Sequence, residues 1–467
     1  MINYLFTSRP QPPIKTAHTM VTTDKPLTLK EILLYNTTSI PLNLYDTVLM
    51  AWVMYFYIPP PDLGRVQYTS LAAIGLILAG GRILDAITDP LVGYLSDHSR
   101  SRWGRRKPFI FVSLPILFIS FVAVWYPPIK GDSVLNAVFL AGVLFFYYWS
   151  YTGVLIPWFA MLPEMSHENK GRIKIATIGV AMGVVGALVG GGLSGPLMEA
   201  MGVLSMAIIL GLFGFICGEI AFLGMHERNP APDAETSVGF LEFFRVLKQV
   251  FGDRQVLSFS AMIMLAQMTY QLMLMNVPYF TTLILGKKES DASLLMGQVI
   301  IVMAFSTPLW YWLLNRFPKR KVFRFILAAM AVSYLASFFI GQYPWFSPYV
   351  QAVIIFTILI IPYGGMFAAV LGIIADITDY DELKYGKRRE AVYYGIYGIV
   401  RKTGWAFCSL ILTGIFSQFG YSLENPMGVR VVWLICGLAC LLAILCYIPY
   451  KLGDSKEETG RIMGLSQ

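Results

Sequence analysis

Two aspartates lie inside an apolar stretch of the sequence, in the segment GGRILDAITDPLVGYLSD (80–97). Asp85 and Asp89 are four residues apart and share one face of a helix, and Arg82 joins that face. Two carboxylates so close repel each other unless a cation or a proton lies between them. Pro90 has no N–H, which frees a carbonyl oxygen one turn earlier, and hard cations prefer oxygen ligands. The spacing predicts a cation or proton site; the alternative is a salt bridge from Arg82 that locks two helices.

Two further apolar segments carry polar residues. Asn43 and Asp46 are three residues apart in NLYDTVLMAW, where they either bind substrate hydroxyls or form hydrogen bonds between helices. Lys402 lies in GIVRKTGWAF, and a buried lysine needs a carboxylate partner. The Asp85 and Asp89 pair is the candidate partner, and the alternative is an anchor whose ammonium reaches the membrane surface.

An aromatic segment, FFYYWSYTGVLIPWFAMLPE (145–164), combines ring faces with hydroxyls. Sugars stack on such rings, so the segment predicts either a sugar site or ordinary packing. Thr152 can add an oxygen to the cation site. The residues predicted to contact a substrate are Asn43, Asp46, Arg82, Tyr151, Trp158 and Lys402.

Two charged segments between apolar stretches are candidates for gates. SDHSRSRWGRRKP (96–108) is basic, and ADITDYDELKYGKRRE (375–390) has acids followed by bases. Acidic side chains do not serve membrane orientation, so pairing between acids and bases at helix ends is the predicted role. The predicted gating residues are Asp97, Arg105, Arg106, Asp376, Asp379 and Arg388.

The composition indicates that these residues are positioned by membrane helices. Of 467 residues, 56% are apolar and 14% are charged, and the mean hydropathy is +0.61. Soluble domains carry about 25% charged residues, so an ordinary soluble enzyme is excluded. Twelve apolar spans lie near 32–58, 68–95, 108–127, 134–162, 173–197, 203–225, 257–285, 294–315, 322–341, 348–375, 391–418 and 428–450.

The spans predict an all-α membrane protein with twelve transmembrane helices in two six-helix bundles. A weak repeat supports two halves, because short basic loops occur at 96–108 and 315–323, after the second and eighth spans. The predicted units are an N-terminal segment (1–30), a first bundle (31–225), a linker (226–256), a second bundle (257–450) and a tail (451–467). Two such halves suit a transporter whose site lies between them.

The charge distribution predicts the orientation in the membrane. The chain has 36 Lys and Arg residues and a net charge of +8, and most of these residues lie in alternate loops and at both ends. The opposite loops hold only Arg65, Lys130, Lys287, Lys288 and Arg430. The protein is therefore predicted to lie in a cell membrane with both termini in the cytoplasm. The positive charge is explained by this orientation and does not indicate nucleic-acid binding. The five cysteines lie in apolar stretches without metal-like spacing and are predicted to be buried.

The motifs DAITDPLVGYLSDHSRSRWGRRKP and ADITDYDELKYGKRREAVYYGIYG resemble the glycoside–pentoside–hexuronide:cation symporter family, the melibiose permease-like branch of the major facilitator superfamily. The resemblance covers about residues 30–450 and implies the major facilitator fold. It implies that Asp85, Asp89 and Thr152 bind the cation and that Lys402 lies near it. Melibiose permease has a sugar-binding aspartate in helix 1 where this chain has Asn43, and an aspartate in helix 4 where this chain has Leu155.

The first functional prediction is symport of a sugar or glycoside with Na⁺ or H⁺, without any other cofactor or a fixed metal. The alternative is a lysolipid or other amphiphilic solute. A membrane enzyme is not expected, because all four histidines fall in predicted cytoplasmic segments and no nucleophile or metal constellation appears. A channel is disfavoured by the two-half design. The predicted partners are a small molecule, a cation and the lipid bilayer, and the protein is expected to be a monomer.

Overall fold

The computed structural model describes residues 27–99, 101, 104–166, 169–225, 252–386 and 389–465. These residues form fourteen α-helices, and they contain no β-strand. The helices are α1 (Leu29–Asn36), α2 (Ser39–Tyr57), α3 (Leu71–Asp97), α4 (Lys107–Ala123), α5 (Val134–Met165), α6 (Asn169–Met201), α7 (Val203–Ala221), α8 (Arg254–Leu283), α9 (Glu289–Arg316), α10 (Lys319–Phe338), α11 (Pro348–Tyr385), α12 (Glu390–Phe419), α13 (Met427–Tyr447) and α14 (Lys456–Met463).

Twelve of these helices, α2 to α13, coincide with the twelve predicted spans. Ten are long and apolar enough to cross a membrane. The other two are α4, an apolar helix of 17 residues, and α2, whose 19 residues include Asn43 and Asp46. The predicted all-α fold with twelve spans is confirmed. The linker prediction falls largely on 226–251, outside the described residues, so the domain boundaries stay predictions.

Local sequence explains where several helices begin and end. Ser70, Ser133 and Ser347 precede α3, α5 and α11, and each hydroxyl accepts a hydrogen bond from a backbone N–H of the first turn. Asp253 caps α8 in the same way. Gly386 ends α11 with φ of +68°, a left-handed conformation that glycine adopts without strain.

The described helices pack in two groups that meet mainly at three helix pairs. In the first group α2 packs on α6, and α5 packs on both α3 and α4. In the second group α13 packs on α8 and α10, and α11 packs on α9. We call α2–α7 the first half and α8–α13 the second half. The two halves meet where α3 packs on α12, α6 on α9 and α2 on α8.

The two ends of the helical bundle differ in charge. The basic end carries the loop after α3, which contains Arg105 and Arg106, and the start of α10 at Lys319. The opposite end carries the loops after α2 and α8. Cys408, Cys436 and Cys440 are buried and Cys217 and Cys446 are half-buried, all as free thiols, which partly fits the prediction of buried cysteines.

Candidate functional site

The two aspartates of α3 meet Lys402 of α12 in the interior of the bundle. The Lys402 Nζ lies 2.9 Å from Asp85 Oδ1 and 2.7 Å from Asp89 Oδ2. It also donates to the backbone carbonyl of Asp85 at 3.2 Å. Lys402 and Asp85 are buried, whereas 25% of the Asp89 side chain is exposed. The ammonium therefore lies between the carboxylates, where the spacing predicts a cation, and it links the first half to the second.

Two threonines add oxygen atoms to this arrangement. The Thr152 hydroxyl of α5 lies 3.2 Å from an oxygen of Asp85 and 3.2 Å from an oxygen of Asp89. The Thr88 hydroxyl lies 3.1 Å from that of Thr152. Thr88 was not predicted from the sequence, although it follows Asp85 by three residues. We call Asp85, Thr88, Asp89, Thr152 and Lys402 the acidic cluster; its oxygens are of the kind that Na⁺ and other hard cations bind.

Arg82 joins α3 to α2 through Asp46. Its guanidinium lies 2.6 Å from Asp46 Oδ1 and 3.5 Å from Asp85 Oδ2, too far from the latter for a hydrogen bond. It also lies over the rings of Trp405 at 4.8 Å and Tyr148 at 5.3 Å. Both Arg82 and Asp46 were predicted to contact a substrate; the structure places them against each other, and the substrate role stays a prediction.

One face of α2 borders a space that solvent can reach. Asn43 is exposed and the Asp46 side chain is 22% exposed, while most other side chains of α2 are buried. The Asn43 amide donates to the Ser39 carbonyl at 2.8 Å. Tyr151 is half-buried and stacks on Tyr147 with ring centroids 6.1 Å apart. These residues have the exposure that contact with a solute requires.

Trp158 has different neighbours from the other predicted substrate contacts. It is buried, its indole N–H donates to the Tyr35 carbonyl at 3.3 Å, and its own carbonyl accepts from the Tyr35 hydroxyl at 2.5 Å. These bonds fix α1 against α5. The structure thus gives Trp158 a packing contact and does not place it against the acidic cluster.

Sequence reasoning did not single out Arg401 and Trp405 on α12. The Arg401 guanidinium lies over the Trp405 ring at 4.7 Å and over the Tyr397 ring at 5.7 Å. The spacing of four residues between these side chains was the available indication, because it places all three on one helical face.

The ion pairs measured between described residues at the basic end each join elements of one half. Arg106 lies 3.0 Å from both Asp97 and Glu164, and Arg105 lies 2.5 Å from Glu164. All these residues belong to the first half, and Glu164 was not predicted. Because they do not join the two halves, these pairs are internal braces.

The second half has its own pairs at this end. Lys319 lies 2.7 Å from Asp376. This pair corresponds to the ion pairs that the basic loop of the first half makes with Glu164. Lys384 lies 2.6 Å from Asp253. Burial raises the pKa of the Asp253 carboxyl, but hydrogen bonds from Lys384, a backbone N–H and Tyr380 lower it by more, so the pKa lies below its usual value. Asp379 is half-buried. Arg388, the remaining predicted gating residue, lies outside the described residues.

The opposite end holds the two halves together. Glu289 of α9 lies 2.5 Å from Arg65 and accepts from the Tyr55 hydroxyl at 3.0 Å. Lys288 lies 2.6 Å from Glu199 of α6. These contacts were not predicted, although the charged residues that form them stand out in loops that carry few other charges. These contacts close this end of the interface between the halves.

The backbones of α6 and α9 approach closely at this closed end. The Gly195 N–H donates to the Ser293 hydroxyl at 2.7 Å. A Cβ at Gly195 would lie 2.8 Å from the carbonyl carbon of Glu289, whereas a Cβ at Gly192 would meet no atom within 4 Å. Glycine at position 195 is therefore required for this contact.

A family model described as MFS/sugar transport protein matches residues 34–452. The chain belongs to this transporter family. Membership agrees with the predicted major facilitator fold and with the melibiose permease-like resemblance. It also confirms that the chain is a multi-pass membrane transporter and not an enzyme.

Relatives of this MFS/sugar transport protein match over most of their length. The isoprimeverose transporter of Lactiplantibacillus pentosus is 23% identical over 463 residues, covering 93% of this chain and 90% of the relative. The sodium-dependent lysophosphatidylcholine symporter 1 of Gallus gallus is 23% identical over 438 residues, covering 83% and 80%. The solved structure of the nucleoside transporter NupG is 14% identical with a TM-score of 0.63, covering 90% and 98%, and shows the shared fold.

Proposed function

We propose that this transporter moves a sugar or glycoside together with a cation, Na⁺ or H⁺. The observation that carries the proposal is the Lys402 ammonium between Asp85 and Asp89. It is an ion pair between the two halves that one mobile cation can replace. The family description and the isoprimeverose transporter support a sugar as the solute.

The acidic cluster supplies a mechanism for coupling. A cation that enters from the basic end meets the exposed part of Asp89 and competes with the Lys402 ammonium for the same oxygens. Once Lys402 is displaced, or Asp89 is protonated, the link between α3 and α12 weakens. Cation binding and substrate binding then favour the same rearrangement of the halves, and this coupling is reciprocal.

A second candidate solute is a lysolipid or another amphiphile. The relative named a sodium-dependent lysophosphatidylcholine symporter supports it. Leu155 of α5 supports it as well, because this apolar, half-buried side chain lies one turn from Tyr151. An acyl chain contacts such a surface favourably, whereas a sugar gains little from it.

The basic end is proposed to face the cytoplasm, since lysine and arginine concentrate on that side of a membrane. The protein then lies in the cell membrane with both termini in the cytoplasm, and the described conformation opens towards the cytoplasm. The protein is proposed to work as a monomer. The charged residues of the basic end, Asp97, Arg105, Arg106, Asp376 and Asp379, are proposed to close it when the halves rock together.

The test measures accumulation in proteoliposomes. Isoprimeverose, melibiose and lysophosphatidylcholine are first screened by thermal shift, each with and without Na⁺ at two pH values, because a bound ligand stabilises the folded protein. Accumulation of the stabilising solute is then measured under an Na⁺ or H⁺ gradient.

Asp85→Asn and Asp89→Asn should abolish gradient-driven accumulation because the amide carries no negative charge for the cation. Asp132→Asn is the matched control, since Asp132 is exposed in the loop between α4 and α5. Accumulation by either cluster variant at the level of the control would refute the proposal.

A further inference from the structure

Arg401 is a membrane-embedded cation without a carboxylate partner among the described residues. It lies eleven residues after the first residue of α12, about 16 Å along the helix axis. The hydrocarbon core is roughly 30 Å thick, so Arg401 lies too deep for its side chain to reach the membrane surface easily. Charged residues at such depth are unfavourable unless they face a cavity and meet a partner.

The surroundings of Arg401 leave donors without acceptors. Its Nε and the indole N–H of Trp405 are buried atoms with no hydrogen-bond partner in the described part of the chain. Its guanidinium rests on the faces of Trp405 and Tyr397 and lies within electrostatic range of Tyr151 across the interface of the halves. A planar fork of donors held by aromatic faces fits the oxygens of a carboxylate or a phosphate.

The charges around Arg401 balance only when no coupling cation is present. The interior around Tyr151 holds three carboxylates, Asp46, Asp85 and Asp89, and three cationic side chains, Arg82, Lys402 and Arg401. A bound Na⁺ or H⁺ leaves one excess positive charge in a poorly solvated interior, which is unfavourable. A solute with one negative charge restores neutrality, whereas a neutral sugar does not.

We propose that Arg401 recognises an anionic group on the solute, so that the transported molecule carries a carboxylate or a phosphate. This inference rests on the proposed symport and specifies its substrate class. Trp405 supplies the second donor, and Lys402, once displaced from the acidic cluster, lies one residue away. Arg401 then acts as a specificity-determining residue for charge, apart from the residues that bind the cation.

The test uses two pairs of probes that differ in charge. One pair is p-nitrophenyl β-D-glucuronide and p-nitrophenyl β-D-glucoside; the other is a lysophosphatidate and the monoacylglycerol with the same acyl chain. Binding to the purified protein is measured by calorimetry in Na⁺ buffer at two pH values. We expect the charged member of one pair to bind more tightly, and the pair that responds identifies the source of the anion.

Arg401→Gln should weaken binding of the charged probe roughly 10- to 100-fold, the range for loss of a hydrogen bond to a charged group. Binding of the neutral probe should not change. Arg401→Lys should retain part of the preference, because it keeps the charge and loses the planar fork. Thermal unfolding of both variants checks that they fold.

Three binding results would overturn the inference: no charged probe binds, the neutral member binds equally well, or Arg401→Gln weakens both members equally. Cation-driven accumulation of a neutral sugar by parent and Arg401→Gln alike would overturn it and leave the symport proposal standing. Unchanged accumulation by Asp85→Asn would instead refute the symport proposal.

Discussion

The close approach of α6 and α9 at Gly195 offers a way to shift the balance between conformations. In Gly195→Ala the new methyl group would lie 2.5 Å from Ser293 Oγ and 2.8 Å from the Glu289 carbonyl carbon. Ser293 can rotate, but the backbone of Glu289 cannot. Carbon atoms in contact favour separations of about 3.5–4.0 Å, so the helices must move apart by roughly 1 Å.

The expected effect follows from the cost of overpacking. Such an insertion destabilises a packed arrangement by about 1–3 kcal/mol. Because the clash exists only while the opposite end is closed, the variant should favour opening there by roughly 5- to 150-fold. The matched control is Gly192→Ala, one turn away on the same helix, where the added methyl group meets nothing within 4 Å.

The assay measures the distance between the halves at the opposite end. Spin labels replace Asp132, after α4, and Gln342, after α10, both exposed, in a cysteine-free background. Double electron–electron resonance should show a longer distance in Gly195→Ala and the parent distribution in Gly192→Ala. An unchanged distribution in Gly195→Ala, or an equal change in the control, would refute the reasoning.

Two further predictions concern buried charge. Lys402→Ala leaves Asp85 and Asp89 without their cation, so it should lower the melting temperature in Na⁺-free buffer. Added Na⁺ should then raise the melting temperature of the variant more than that of the parent. An equal increase in both proteins would contradict the prediction. Glu164→Gln should cost about 3–5 kcal/mol of stability because its side chain is only 8% exposed, whereas Asp97→Asn, at 42% exposed on the same Arg106, should cost less than about 1 kcal/mol. Thermal unfolding in detergent measures the loss of stability in all these variants. Equal losses in Glu164→Gln and Asp97→Asn would show that burial does not determine the cost of removing the charge.

The sequence predicted the helices well because membrane insertion depends on local composition. A span needs about 20 apolar residues, and that property does not depend on the rest of the fold. The span at α2 does not reach the hydropathy of the ten long apolar helices, but it was still found because only Asn43 and Asp46 interrupt an otherwise apolar run.

The acidic cluster was predictable in part. A spacing of four residues puts Asp85 and Asp89 on one face, and a buried lysine needs an acid, so Lys402 was the natural partner. Trp158 shows the limit of this reasoning. Its ring chemistry suits a sugar, but only the tertiary structure shows that Tyr35 occupies its polar groups.

The contacts between the halves at the opposite end could not be predicted from spacing. Glu289 meets Arg65 and Tyr55, which are more than 220 residues earlier in the chain, and no periodicity relates them. Spacing also did not identify Glu164 as a partner of Arg105 and Arg106, and their gating role stays a prediction. Basic loops and acidic helix ends were visible in the sequence, but whether a pair braces one half or joins two depends on how the helices are arranged.

The balance of three acids and three bases has a consequence for the return of the unloaded transporter. Moving one elementary charge through the membrane field changes the free energy by about 2.3 kcal/mol per 100 mV. An unloaded site with no net charge does not feel that field. Its reorientation rate should therefore be insensitive to voltage, and a strongly polarised membrane would neither slow the reset of the cycle nor drive it backwards.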